Sequence, residues 1–204
     1  MQMLILIGHS WTMLNFRWAT GISLTPEEEK DADIMSYIAY AQLALVNDLF
    51  SWDKEYTAHV DSNGEVPLVN AVHIVAVTQS LSHCAAKAVV MAEIRAHEER
   101  FCHLKEEYME TSDPSSSVLR WLELLEHAMA GNWVWSLCVP RYNKVDRNPY
   151  KDHLERFGSN TIRILTPPVQ DFNLNANSQD CKEKDLTNLK TSSKWISNRI
   201  IRLG

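Results

Sequence analysis

Three residues with oxygen donors recur at intervals of four in the stretch "ALVNDLFSWDKEY", residues 44–56: Asn47, Ser51 and Glu55. On an α-helix such residues stack one turn above another, and at about 100° per residue they fall within about 80° of arc. An amide oxygen, a hydroxyl and a carboxylate are hard ligands suited to Mg2+, with Mn2+ as the alternative. Together they bring a single formal negative charge, so a cation held by them alone would bind weakly. An anionic substrate, most naturally a diphosphate, would supply the remaining oxygens. The same arc, extended towards the N-terminus, reaches Tyr37, Tyr40 and Ala44, and the combination suggests an apolar pocket with a metal at its mouth. Solvated helix faces carry the same spacing, which by itself leaves both readings open.

A second constellation lies downstream in "NWVWSLCVPRY", with Asn132, Trp133, Trp135, Arg141 and Tyr142. The arginine fork binds phosphate oxygens in pairs, and a neighbouring phenol adds a hydrogen bond. Aromatic faces stabilise a cation in a dry cavity; the two tryptophans are equally at home as core. No Ser-His-Asp or Cys-His arrangement calls for nucleophilic catalysis.

The elements that must carry these residues are helical. Residues 4–20 run apolar, with Trp11, Leu14, Phe16 and Trp18, and break at Gly21. The opening "MQMLILIG" is too short for a signal peptide or membrane span and reads as a buried helix or strand. Thr25 is a candidate N-cap, Pro26 suits the first helical position, and Glu27, Glu28 and Glu29 favour the positive end of the helix dipole. A long helix is predicted from about Pro26 to His59, followed by a turn at "DSNGEVP". The pattern is helical again from Leu68 to Met109, as a short helix to about Gln79 and a longer one capped by Ser80 or Ser82. A last helix starts near Val118 and runs to about Ala130, with "GNWVWSLCVPRYN" continuing or closing it before Pro140. No strand or repeat is found, so the fold class is all-α. Residues 161–204 are polar, with Pro-Pro and many Asn, Ser and Lys, and read as a linker or tail behind a domain over residues 1–160.

Composition narrows the partners. The chain has 204 residues, 45% of them hydrophobic, and a net charge of −6; it shows no basic footprint for nucleic acid. Four cysteines without a CxxC pair argue against a zinc site and a disulfide framework, and make a reducing, cytoplasmic setting the default.

These residues resemble a family. "NDLFSWDKE" is similar to the Asn/Asp-Asp-x-x-Ser/Thr-x-x-x-Glu metal motif of class I terpene synthases, and the downstream "RY" resembles their terminal Arg-Tyr pair. "RWATGISLT", the string Trp52-Asp53-Lys54-Glu55 and "NWVWS....RY" look most like the cyclase domain of fungal chimeric di- and sesterterpene synthases of the fusicoccadiene and ophiobolin type. The resemblance covers roughly residues 9–145. It implies a helical bundle in which Mg2+ ions hold a prenyl diphosphate, geranylgeranyl or geranylfarnesyl diphosphate, that ionises and cyclises. It further implies that Asn47, Ser51 and Glu55 chelate one Mg2+, that Arg141 and Tyr142 bind the diphosphate, and that Lys54 adds positive charge nearby. The break at Gly21 matches the helix kink that helps to trigger ionisation.

The aspartate-rich motif of the family has no counterpart here. "EEEKDAD" sits at a helix start and reads as dipole-complementing surface, and Arg17 is a weak match to the diphosphate-sensing arginine. The chain therefore resembles the C-terminal half of a cyclase domain. Two expectations follow: a terpene cyclase, or a truncated, non-catalytic remnant that self-associates through exposed helix faces.

Overall fold

In the computed structural model the described residues are 2–139 and 141–142, with side chains described from His9 onward, Cys138 excepted. Five α-helices follow one another: α1 (Gln2–Thr20), α2 (Pro26–Asp61), α3 (Ala71–Gln79), α4 (His83–Thr111) and α5 (Ser116–Cys138). No strand occurs among the described residues. The proposed tail, residues 161–204, lies outside them.

Local chemistry sets the boundaries. Gly21, at φ 66°, takes the left-handed conformation that ends α1, a backbone region open to glycine at little cost. Thr25 and Glu28 then form a reciprocal capping box at the head of α2: the Thr25 hydroxyl accepts from the Glu28 amide at 3.2 Å, and the Glu28 carboxylate accepts from the Thr25 amide at 2.8 Å. Asn63 (φ 51°) and Gly64 (φ 87°) make the turn after α2. Ser80 ends α3 in the left-handed region, whereas Ser82 caps α4 by accepting from the Ala85 amide at 3.2 Å. Ser115 does the same for α5, accepting from the Val118 amide at 3.3 Å. α5 runs on through Trp133 and Trp135 rather than closing near Ala130.

Thr25→Ala is expected to destabilise the fold by about 1 kcal/mol, as read by urea or thermal melting. Glu28 adds a pH dependence. Hydrogen bonds from the Ser115 hydroxyl and then from the Thr25 amide hold its carboxyl below the ordinary value of 4.5. Its contribution is therefore present above that value and lost as pH falls through the lower folded value. Acid titration of Glu28→Gln should show a weaker loss of helicity in that range than the parent.

Two compact units are built from these helices, Met1–Leu45 with Ile94–Asn132, and Val46–Glu93 with Trp133–Gly204. The core of the first gathers Met13, Met35, Ile38, Phe101, Trp121, Leu122 and Leu125. Trp121, fully buried, donates its indole N–H to the Ser36 hydroxyl at 2.9 Å, and the buried Gln42 amide donates to Glu98 at 2.7 Å. Arg17 pairs with Glu29 and lies 5.3 Å over the Trp121 ring, so its guanidinium serves this unit. In the second unit the buried residues include Val46, Leu49, Trp52, Val72, Val90 and Trp133. Trp52 stacks on Tyr56 with ring centroids 5.1 Å apart, and His83 packs against both.

Trp11, Leu14 and Trp18 are 67%, 59% and 84% exposed. At spacings of three and four they form one apolar stripe on the outside of α1. One sequence expectation needs correction. Cys84 is disulfide-bonded, against the reading of the cysteines from their spacing. Sequence separation gives no measure of which thiols folding brings together.

Candidate metal centre

Asn47, Ser51, Lys54, Glu55, Arg141 and Tyr142 fall in the second unit, whereas Arg17, Tyr37, Tyr40, Ala44 and Asn132 belong to the first. Asn47, Ser51 and Glu55 are carried by α2, which places them on one face by register. That face is covered: Ser51 is 2% exposed, and Asn47 and Glu55 are half-buried. A purely solvated face would not look like this.

The hydrogen bonds leave acceptor oxygens available. The Asn47 amide N–H donates to the Tyr142 phenol oxygen at 2.8 Å, which fixes the amide plane and leaves Oδ1 without a donor among the described residues. The Ser51 hydroxyl reaches the Asp48 carbonyl at 3.5 Å, the outer limit of a hydrogen bond, and its oxygen accepts from no described residue. Glu55 accepts through Oε2 from the Asn70 amide at 3.0 Å, and Oε1 accepts from no described residue. Among the described residues no three His, Cys, Asp or Glu side chains gather as a metal site. The donor set is one amide, one hydroxyl and one carboxylate, which suits a hard divalent cation that shares its coordination with an anion.

Tyr142 belongs to the turn that follows α5, where its amide donates to the Val139 carbonyl at 3.2 Å. Its ring meets the edge of Trp135 at 5.7 Å and lies 5.8 Å below the Arg141 guanidinium. Arg141 and Lys54 are exposed. Trp133 is buried against Phe50, edge to face at 5.4 Å, while Trp135 is 48% exposed. The tryptophan pair thus divides between core and surface.

Two neighbours of the motif do work that the sequence did not announce. The Asp48 carboxylate accepts from the Ala71 amide at 2.8 Å, at the first residue of α3. Burial pushes its carboxyl up to about 6, the Ala71 N–H pulls it back in part, and the nearby Glu55 charge raises it. Asn70, 1% exposed, is the N-cap of α3. A polar residue three positions after a Pro and just before an apolar helical run was the available signal.

Residues 4–100 match a family model described as terpene synthase family 2, C-terminal metal binding. Residues 4–100 thus belong to this terpene synthase family. The matched segment contains Asn47, Ser51 and Glu55 and ends before Arg141. The chain is 79% identical over 157 residues to a conidiogenone synthase of Penicillium roqueforti, covering 77% of this chain and 21% of that protein. It is 70% identical over 183 residues to a cyclopiane-type diterpene synthase of Penicillium chrysogenum, covering 90% and 23%. A bifunctional sesterterpene synthase of Talaromyces wortmannii is 32% identical over 139 residues, covering 67% and 18%. The chain therefore spans about a fifth of the length of these curated relatives. Among its described residues no single helix is long and apolar enough to cross a membrane.

Proposed function

We propose that the chain supplies the Asn-Ser-Glu metal site of a cytoplasmic terpene cyclase that converts a linear prenyl diphosphate, most simply geranylgeranyl diphosphate, into a cyclic hydrocarbon. The observation that carries this reading is the paired restraint of Asn47 by Tyr142 and of Glu55 by Asn70, which leaves acceptor oxygens on one covered face of α2. The diterpene synthase relatives favour geranylgeranyl over geranylfarnesyl diphosphate.

Asn47, Ser51 and Glu55 would hold Mg2+, or Mn2+ in its place. When bound, the cation supplies charge neutralisation for a leaving diphosphate. The chain's own residues do the rest. Arg141 offers two parallel N–H donors to phosphate oxygens, the Tyr142 phenol sits beside it, and Lys54 raises the local positive potential. In the reaction the allylic carbon–oxygen bond breaks, its electron pair leaves with diphosphate, ring closure follows on the cation, and proton loss gives the hydrocarbon. Water must be kept out for that cation to survive.

The test is incubation of the purified chain with Mg2+ and geranylgeranyl diphosphate, then the farnesyl and geranylfarnesyl homologues, with the extract read by gas chromatography and mass spectrometry. A cyclic hydrocarbon that disappears in Asn47→Ala is the expected result. No product from a folded, soluble chain overturns the enzymatic reading.

A second reading is favoured by the exposed stripe of Trp11, Leu14 and Trp18: a non-catalytic remnant of such an enzyme that self-associates through this face. Sedimentation velocity separates the two, because a monodisperse monomer with a cooperative melt contradicts the remnant.

A further inference from the structure

Asn70 uses its whole side chain. One face of its amide, Oδ1, accepts from the Val72 amide at 2.9 Å and so caps α3. The other end, Nδ2, donates to the Asp48 carbonyl at 2.8 Å and to the Glu55 carboxylate at 3.0 Å. The residue is 1% exposed, so water cannot replace these bonds cheaply. An N-cap alone would be satisfied by Ser, Thr or Asp. Only an amide of this length both caps α3 and presents two donors to the flank of α2.

We infer that Asn70 is a positioning residue for the metal centre, holding the Glu55 carboxylate so that its second oxygen is presented to the cation. The inference rests on the metal reading above. A carboxylate on a side chain with three rotatable bonds otherwise samples several rotamers, and ordering it before the cation arrives removes that cost from binding. The bond also ties the head of α3 to the ligand, so the position of α3 and the set of the carboxylate are coupled.

Asn70→Ser keeps an N-cap hydroxyl but is too short and too poor in donors to reach Glu55. Mn2+ binding in the presence of inorganic pyrophosphate, followed by electron paramagnetic resonance alongside the melting temperature, tests the idea without any turnover. The expected result is an affinity weakened by about 10-fold or more, with a larger but still measurable weakening in Glu55→Ala. Unchanged Mn2+ affinity in Asn70→Ser, with Glu55→Ala still defective, overturns the role of Asn70 and leaves the metal site standing. Equal binding by the parent and Glu55→Ala overturns the metal site and the inference together. Should Asn70→Ser melt early, the double variant decides: a positioning role predicts no further loss of affinity when Asn70→Ser is added to Glu55→Ala, and an additive loss overturns it.

Discussion

Glu55→Ala is expected to lower Mg2+-dependent diphosphate release by at least ~100-fold, equivalent to about 2.7 kcal/mol of transition-state stabilisation. Glu55 is the single formal negative charge among the three proposed ligands. Without it the cation would face an amide and a hydroxyl, whose oxygens compete poorly with water for Mg2+. The same substitution leaves the Asn70 amide without one of its acceptors, a secondary cost to local order. Helix α2 itself should persist, since alanine is the best helix former. Circular dichroism and a coupled assay for pyrophosphate check both halves of the statement. Release within tenfold of the parent, from a folded variant, would remove Glu55 from the metal site.

Trp121→Ala is expected to cost about 3–5 kcal/mol of folding stability. The side chain is fully buried and sits among Met35, Ile38, Leu122 and Leu125. Its loss opens a cavity and deletes the indole bond to Ser36. The Ser36 hydroxyl would retain its own bond to the Ala32 carbonyl at 2.9 Å, so no donor is orphaned and the cavity dominates. Domains of this size are stable by only about 5–15 kcal/mol, so this one change removes a large part of the margin. Trp121→Phe, which keeps most of the volume, should cost far less. Urea unfolding of the two variants tests the difference, and near-equal losses would contradict the packing account.

How far the sequence spoke depends on how local the information was. The start of α2 was legible because Thr25, Pro26 and Glu28 each have a strong preference there and all agree. The turn at Asn63 and Gly64 was legible for the same reason. Choosing between Ser80 and Ser82 as the cap of α4 was not, because both are good caps and only the chain path shows that one ends α3. The shared face of Asn47, Ser51 and Glu55 followed from helical geometry alone. The partner of Asn47 did not: Tyr142 was assigned to the diphosphate, and the structure adds its bond to the motif itself. Asn70 escaped notice because its value lies in a contact 15 residues back along the chain. The outward stripe on α1 was legible only as apolar residues: tryptophan and leucine do not say by type which face of a helix is covered.

The bond between Asn47 and Tyr142 also has a history within each molecule. It joins residues 95 apart in the chain, while helices relax within about a microsecond from contacts three or four residues away. Closing so long a loop is entropically costly and must wait until much of the intervening chain is packed. On the ribosome, Tyr142 is not yet made when α2 can already have formed. Assembly of the metal centre is thus a late event of folding, and pulsed hydrogen exchange that found the turn around Tyr142 protected ahead of the middle of α2 would contradict that order. A nascent chain arrested short of that turn would own its ligands before it owned the phenol that orients the first of them.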